Sequence, residues 1–258
     1  MIDALVAEGD GYCVRCPETW TQGRTLFGGL QVALMVKAMR DRVPVEVPLR
    51  SVQTSFIGPV VPGKLHLRAR VLRQGKSVIQ AEAQILDGEQ VACATLAVFG
   101  RARTSAVSLT PPPPIVTRNP QASQQMPFFP GLSPAFTQFV EQRWSHGAMP
   151  FCGGAEARTQ IHLRFRNEPR VDEFLAIALA DAIPSPAISV LRRPAPASSM
   201  TWTLELLHDR PQNLTDGYWL MDAKVSAASD GYAYQTATLW SPDLQPVALS
   251  RQSTVVFG

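Results

Sequence analysis

The segment that decides the fold reads Thr25-Leu-Phe-Gly-Gly-Leu-Gln-Val-Ala-Leu-Met-Val-Lys-Ala-Met-Arg40. Its apolar residues from Leu30 onward cover most of a helical surface, so we expect a helix that is buried on nearly all sides. Pro44 and Pro48 end that helix. A short polar strand precedes it at residues 12–21. Four strand-like segments follow it, with turns of glycine, proline and polar residues between them: residues 49–57, 64–73, 77–86 and 90–99.

The second half of the chain repeats this pattern. Strands are predicted at residues 136–144 and 155–166, a helix at 171–183, and then four strands at 198–207, 218–226, 232–240 and 246–256. Leu30–Met39 aligns with Phe174–Ile183, and Arg50–Phe56 aligns with Ser198–Leu204. A repeat of about 120 residues is typical of a duplicated domain rather than a solenoid.

A proline-rich segment separates the two halves. It covers residues 104–135 and includes four consecutive prolines, Pro111–Pro114. Such a composition predicts an extended linker with little regular structure. We therefore expect an N-terminal unit over residues 1–103, a linker over 104–135 and a C-terminal unit over 136–258. Each unit is predicted to be of the α+β class, an antiparallel sheet with one face packed on a helix.

Composition and charge exclude several classes of protein. The chain has 258 residues, of which 45% are hydrophobic and 17% are charged, as expected of a globular protein. A formal net charge of +3 and the lack of a dense Lys/Arg run argue against nucleic-acid binding. No apolar stretch reaches the roughly 18 residues needed to cross a bilayer. The N-terminus shows no secretory signal, which predicts a cytoplasmic protein.

The cysteines and histidines predict no metal site. Cys13 and Cys16 form a C-x-x-C pair, but a zinc site needs about four ligands, and no second pair with ligand spacing is present. Residues three apart on a strand also point to opposite faces. We expect four free thiols in a reducing compartment, and no cofactor.

Two tandem units of this kind resemble the double hot-dog acyl-CoA thioesterases, the acyl-CoA thioesterase II family, in which each sheet wraps one central helix. Four motifs carry the resemblance: Leu26-Phe-Gly-Gly-Leu30, Leu179-Ala-Asp181, Ser199-Met-Thr-Trp-Thr203 and Val247-Ala-Leu-Ser-Arg-Gln252. It implies an Asp, a Ser or Thr, and a Gln that hold and activate a water molecule, which here correspond to Asp181, Ser199 and Gln252. Thr201 stands where bacterial members usually carry an acidic residue, and it is an additional candidate for the hydroxyl.

The residues themselves support these positions. Asp181 has only apolar near neighbours in the second helix, where burial raises the pKa of a carboxyl and polar partners lower it again, as suits a general base. The alternative is an exposed helix end near Pro184. Gln252 aligns with Leu96 of the first half, and a glutamine can donate to a carboxylate while accepting from water. Ser199 and Thr201 are two residues apart, which predicts one shared strand face.

The pair Gly28-Gly29 opens the first helix. Paired glycines allow close approach of a carbonyl oxygen, and the N–H groups at a helix N-terminus point at it, which is the geometry of an oxyanion hole. The alternative is a plain tight turn. The second helix begins at Glu168-Pro-Arg-Val-Asp172, without glycines. We therefore expect one composite site between the units rather than two.

The predicted activity is hydrolysis of an acyl-CoA thioester to free acid and coenzyme A by a directly activated water. One alternative is a non-catalytic acyl-CoA-binding or regulatory protein. A less favoured alternative is an acyl-thioester dehydratase, which normally uses a histidine near the helix entry. Arg24, Lys37, Arg68 and Arg70 are candidates for contact with the CoA phosphates. The remaining sheet edges predict a homodimer or larger assembly.

Overall fold

The computed structural model describes residues 1–168, 171–207 and 217–257. The N-terminal half contributes one α-helix, α1, and short 3-10 turns at Ile2–Ala4 and Glu18–Trp20. Its elements run in the order β1 (Val6–Glu8), β2 (Gly11–Cys16), β3 (Thr21–Gln22), β4 (Thr25–Leu26), α1 (Gly28–Arg40), β5 (Leu49–Phe56), β6 (Gly63–Gln74), β7 (Val78–Asp87) and β8 (Gln90–Gly100).

The C-terminal half has the corresponding elements. It carries 3-10 turns at Ala135–Gln138 and Pro186–Ser189. Its order is β9 (Gln124–Gln125), β10 (Val140–His146), β11 (Arg158–Phe165), α2 (Glu173–Ala180), β12 (Ala197–Leu206), β13 (Trp219–Ser229), β14 (Tyr232–Trp240) and β15 (Pro246–Val256). Neither of the described α-helices is long and apolar enough to cross a membrane.

Sheet topology confirms the predicted repeat. The N-terminal strands lie in the order β1-β2-β6-β7-β8-β5, and the C-terminal strands continue as β12-β15-β14-β13-β11-β10-β9. The core order β2-β6-β7-β8-β5 thus matches β11-β13-β14-β15-β12, and all pairs are antiparallel. Pairing of β5 with β12 joins the halves into one 13-stranded sheet. Thr54 pairs with Trp202 at this junction and aligns with it in the repeat, so an approximate two-fold axis passes here.

The two helices pack against each other inside the curved sheet, as the α+β prediction required. From Gly29 to Met39, helix α1 is buried at every position except Lys37. Side chains alternate along the strands: in β6, Leu65, Leu67 and Ala69 are buried and their neighbours are exposed. One hydrophobic cluster runs through both halves.

Helix α2 is shorter than predicted. It begins at Glu173 rather than residue 171, because the side chain of Asp172 accepts the backbone N–H of Leu175 at 2.8 Å and so acts as the N-cap. It ends at Ala180 rather than residue 183, before the prolines at 184 and 186. The predicted strand at residues 136–144 also begins later, because a 3-10 turn occupies its first residues.

The proline-rich segment has no helix or strand between residues 101 and 123, but it is anchored to the C-terminal sheet. The backbone N–H of Arg118 donates to Oγ of Ser145 at 2.9 Å, and the carbonyl of Arg118 lies 2.8 Å from Nε2 of His162. The side-chain amide of Gln160 donates to the carbonyl of Ile115 at 3.0 Å. These contacts explain why Gln160 and His162 are buried although they alternate with core residues of β11.

Candidate active site

Asp181 lies where the two helices meet. It directly follows α2, and its carboxylate accepts a hydrogen bond from the backbone N–H of Gly29 in the first turn of α1. The first N–H groups of a helix have no partner inside it, and Phe27 at the N-cap supplies no side-chain bond. Asp181 therefore caps α1 from the other half of the chain, at the end where the helix dipole favours negative charge.

Each glycine at the start of α1 is required for a different reason. A Cβ on Gly28 would lie 2.8 Å from Oδ2 of Asp181 and 3.1 Å from the ring of Phe56. A Cβ on Gly29 would lie 2.9 Å from the carbonyl oxygen of Ala178, so this glycine permits the close approach of the two helices. The Gly29 N–H is bonded to Asp181, and the binding of a substrate oxygen by Gly28 and Gly29 stays a prediction.

Gln252 connects Asp181 to Ser199. Its Nε2 donates to Oδ1 of Asp181 and to Oγ of Ser199, both at 2.9 Å, which uses both hydrogens of the amide. The two acceptor oxygens share one nitrogen neighbour and therefore lie less than about 6 Å apart, a separation that one water molecule can bridge. The structure thus brings these three predicted residues together.

Burial raises the pKa of Asp181 from its ordinary value of 3.8 to about 7, and hydrogen bonds from Gln252 and Gly29 oppose that rise. The residue as a whole is half-buried, whereas its carboxylate is buried. The expected position inside a helix is wrong, since Asp181 follows the last turn. It is also not an exposed helix end. A carboxylate with a pKa near 7 is suited to general-base work near neutral pH.

Thr201 does not join this group. The prediction that it shares a strand face with Ser199 is wrong, because β12 carries a bulge. Ser199 pairs with Thr254, whereas Thr201 pairs with Ser253, so one extra residue lies between them on β12. A bulge of this kind reverses the alternation of faces. Ser199 therefore contacts Gln252, while Thr201 is exposed on the other side of the sheet.

Two polar residues that the sequence did not single out stand behind Gln252. Nε2 of Gln235 donates to Oε1 of Gln252 at 2.7 Å, and Oγ of Ser185 donates to Oε1 of Gln235 at 2.6 Å. Both glutamines are buried. A sequence signal was present, because Gln235 occupies an inward position of β14 between Ala233 and Ala237, where an apolar residue is expected.

Register in the sheet corrects one alignment of the two halves. Thr95 pairs with Thr54 as Gln252 pairs with Trp202, so Thr95, rather than Leu96, is the equivalent of Gln252. Thr95 and Thr54 share a buried hydrogen bond of 2.8 Å between their hydroxyl oxygens. The equivalent position in the first half therefore holds a short hydroxyl and not an amide.

The two helices also carry different residues at equivalent positions. Lys37 aligns with Asp181, and Glu173 aligns with Gly29. Glu173 forms a two-pronged ion pair with Arg40, with distances of 2.6 and 2.8 Å and both side chains only 11% exposed. The start of α2 thus forms a salt bridge with the end of α1, whereas the start of α1 contacts the Asp181 carboxylate. This asymmetry supports the expectation of one composite site.

A cavity of about 440 Å³ lies between α2 and the N-terminal residues. Leu30 and Ala178 line it, and both are close to Gly29, which is bonded to Asp181. Trp20 and Phe139 also line it, with stacked rings whose centroids are 4.6 Å apart. The lining further includes charged and apolar residues: Asp3, Phe165, Arg166, Glu168, Val171, Asp172 and Leu175.

The described histidines lie away from Asp181. His66 and His146 stand beside the glutamates Glu8 and Glu156, and His162 bonds the linker. His208 lies outside the described residues. In the described part of the chain, no group of His, Cys, Asp and Glu side chains is placed to hold a metal ion.

All four cysteines, Cys13, Cys16, Cys93 and Cys152, are free thiols. Burial raises the thiol pKa of Cys16 to about 11 and that of Cys93 to about 12, which disfavours the reactive thiolate. These two cysteines therefore belong to the core and not to the site.

Similar proteins agree with this architecture. A hot-dog-fold protein of unknown function from Alicyclobacillus acidocaldarius superimposes with a TM-score of 0.88 at 21% identity, covering 100% of this chain and 98% of that one. Acyl-CoA thioesterase II TesB2 from Mycobacterium marinum gives 0.77 at 15% identity, covering 100% and 97%. The tesB protein of Mycobacterium avium subs paratuberculosis gives 0.75 at 12% identity, covering 98% and 96%. These likenesses confirm the tandem hot-dog fold.

Family models extend the likeness to the sequence itself. No match was found among curated protein sequences. The model of the acyl-CoA thioesterase N-terminal domain matches residues 16–100, and that of the C-terminal domain matches residues 120–256. Together they cover the two halves that carry α1 and Asp181, and this chain therefore belongs to the acyl-CoA thioesterase family.

Proposed function

We propose that this protein hydrolyses acyl-CoA thioesters to a free carboxylic acid and coenzyme A, with a water molecule activated directly by Asp181. One observation carries the proposal: the buried carboxylate of Asp181, with a pKa near 7, is held between a helix N-terminus and the amide of Gln252. The first half carries Lys37 where the second carries Asp181, and Thr95 where the second carries Gln252, so the acid and the amide occur together in one half only.

In the proposed reaction, the water oxygen attacks the carbonyl carbon of the thioester while a water proton passes to the Asp181 carboxylate. The tetrahedral intermediate then collapses, the carbon–sulfur bond breaks, and the thiolate of CoA takes the proton back from Asp181. Water and thioester are consumed, and one carboxylic acid and one thiol are formed. No covalent bond to the enzyme is required.

The surrounding groups divide the remaining work. Ser199 keeps its hydroxyl hydrogen after accepting from Gln252, so it can hold the attacking water beside the carboxylate. Gln252 lowers the pKa of Asp181 and fixes its orientation. The missing side chain of Gly28 lets Oδ2 of Asp181 and the ring of Phe56 come close to the start of α1. The N-terminus of α1 supplies a positive field for the oxygen that becomes negative.

The acyl chain is assigned to the cavity of about 440 Å³ beside α2, within the volume range typical of small-molecule sites. In this proposal the apolar tail lies along Leu30 and Ala178, next to Gly29. For the CoA end, Arg24 is the best placed of the predicted cations, since it is exposed in the turn before α1. Arg68 and Arg70 lie on the outer face of β6, and Arg70 pairs with Glu82 at 2.6 Å.

Thiol release from a panel of acyl-CoAs of increasing chain length tests the proposal. We expect the wild-type chain to release CoA from at least one member, and the Asp181→Asn variant to be slower by about 100-fold or more. Thr201→Val, on the opposite sheet face, is the matched control and should keep the wild-type rate. Binding of CoA esters by the wild type without any release would refute the proposal in favour of an acyl-CoA-binding protein.

A further inference from the structure

Behind Asp181 and Gln252 lies a second layer of polar side chains for which the proposed reaction has no direct use. We propose that Gln235, itself oriented by Ser185, is a positioning residue that holds the Gln252 amide in the one orientation that supports an ionised Asp181. This inference rests on the proposed function, because Gln235 and Ser185 would act on the reaction only through Gln252 and Asp181, without touching the substrate. It concerns a chain of four side chains connected by hydrogen bonds of 2.6 to 2.9 Å.

The direction of the chain follows from its ends. An ionised Asp181 can only accept, so the Gln252 NH2 group must face it and the Gln252 Oε1 must face away. That oxygen accepts from Nε2 of Gln235, which turns the Gln235 Oε1 toward Ser185. The Ser185 hydroxyl donates to that oxygen, and the same hydroxyl oxygen accepts the backbone N–H of Ala187. Each hydrogen bond in this series therefore has a fixed donor and a fixed acceptor.

Loss of Gln235 would remove the hydrogen bond to Oε1 of Gln252. In this series of four side chains, that bond holds the amide oxygen of Gln252 on the side away from Asp181. A flipped Gln252 would point its oxygen at the Asp181 carboxylate and leave Ser199 without its donor. The ionised acid would then lose one of the two hydrogen bonds that oppose the effect of its burial and keep the one from Gly29. Among the described residues no ion pair reaches Asp181, so no side chain of opposite charge compensates for the lost bond.

The unlike halves of the molecule separate this role from ordinary sheet packing. Ala83 pairs with Thr95 as Gln235 pairs with Gln252, so Ala83 is the equivalent of Gln235 in the first half. That position is fully buried and filled by a methyl group. The fold therefore accepts an apolar residue at this point of the sheet. At this position of the sheet, a glutamine stands only in the half whose helix ends at Asp181.

The test uses Gln235→Met, which keeps the length of the side chain and removes both hydrogen-bonding groups. We expect kcat at pH 7 to fall about 10- to 100-fold with KM changed less than about twofold, as is typical when a reacting group is misplaced. We also expect the acid limb of the pH–rate profile to move to higher pH. Thr95→Val is the control, because it removes a buried hydrogen bond in the other half, at the position equivalent to Gln252, and it should leave the acid limb in place.

A second pair of variants keeps the test decisive if Gln235→Met folds poorly. Ser185→Ala should show the same shift of the acid limb to a smaller extent, and Ser185→Thr, which keeps the hydroxyl, should restore the wild-type limb. A merely structural role would lower stability and active fraction but leave the limb in place. That result in both Gln235→Met and Ser185→Ala would overturn the inference.

A measurement without substrate separates this inference from the proposed function. With ¹³C-labelled aspartate, the Asp181 carboxyl is expected to titrate at higher pH in Gln235→Met than in the wild type. Absence of acyl-CoA hydrolysis by the wild type would refute the proposed function and leave this titration as the deciding test. Identical titration midpoints in the two proteins would overturn the positioning role even if the wild type is an active thioesterase.

Discussion

Replacement of Asp181 by asparagine should stabilise this protein increasingly as the pH rises. An acid whose pKa is raised by folding, from 3.8 to about 7 here, holds its proton more tightly in the folded state than in the unfolded state. Its favourable contribution is complete below the unfolded pKa and is lost as the pH rises through the folded pKa. The ionised, desolvated carboxylate then costs the folded state free energy that an asparagine does not.

The size of the effect follows from the two pKa values. Each pH unit between the unfolded and folded pKa costs about 1.4 kcal/mol, so the full cost above pH 7 is about 4 kcal/mol. The difference in unfolding free energy between Asp181→Asn and the wild type should therefore grow by about 1.4 kcal/mol per pH unit up to about pH 7, and then level off.

Urea unfolding of both proteins between about pH 5 and pH 8 measures this difference. Asp87→Asn, at the exposed end of β7, is the control and should show no comparable growth. A pH-independent difference for Asp181→Asn would show that the carboxyl is not desolvated. A difference that shrinks with pH would mean that Asp181 is stabilised in its ionised form, contrary to the account given above.

Four further outcomes follow from particular contacts. Gly28→Ala should lower activity, because its Cβ would lie 2.8 Å from the Asp181 carboxylate. Alanine favours a helix over glycine by about 1 kcal/mol, so thiol release and thermal unfolding are measured together to separate the loss of activity from the gain in helix propensity. Ser199→Ala should slow hydrolysis at least about tenfold, whereas Thr201→Val should not; equal effects would contradict the bulge argument. Arg40→Met should destabilise the fold by about 3 kcal/mol in urea unfolding, because it leaves a carboxylate unpaired, and an unchanged midpoint would refute this. Leu175→Trp should reduce the rate with long acyl-CoAs more than with acetyl-CoA, and equal reductions would argue against the assigned cavity.

Periodicity and turn residues were enough to predict the architecture. The apolar pattern of α1, the alternation in β6 and the repetition of both in the second half depend on local sequence. The burial of α1 follows directly, because a helix that is apolar on all sides is stable only inside a hydrophobic core. The bounds of α2 were less predictable, because the apolar pattern continues past Ala180 to Ile183 although the helix ends at Ala180.

The site was only partly predictable, for reasons that are equally physical. The unusual polarity of Asp181 and Gln252 was visible, but a bulge in β12 depends on pairing with β15, so the face of Thr201 was assigned wrongly. Gln235 was missed although its inward neighbours on β14 are alanines and the inward positions of β7 in the first half are all apolar. A polar residue on the inward side of a strand is the signal that would have found it.

The pH dependence of kcat/KM for acyl-CoA hydrolysis tests the central claim, that Asp181 is the base, most directly. The wild type should lose activity below an apparent pKa near 7, because only the ionised carboxylate can take a proton from water. Asp181→Asn should remain at least about 100-fold slower at every pH. A wild-type profile that stays flat from about pH 5 to pH 8, or an Asp181→Asn variant as fast as the wild type, would contradict the account.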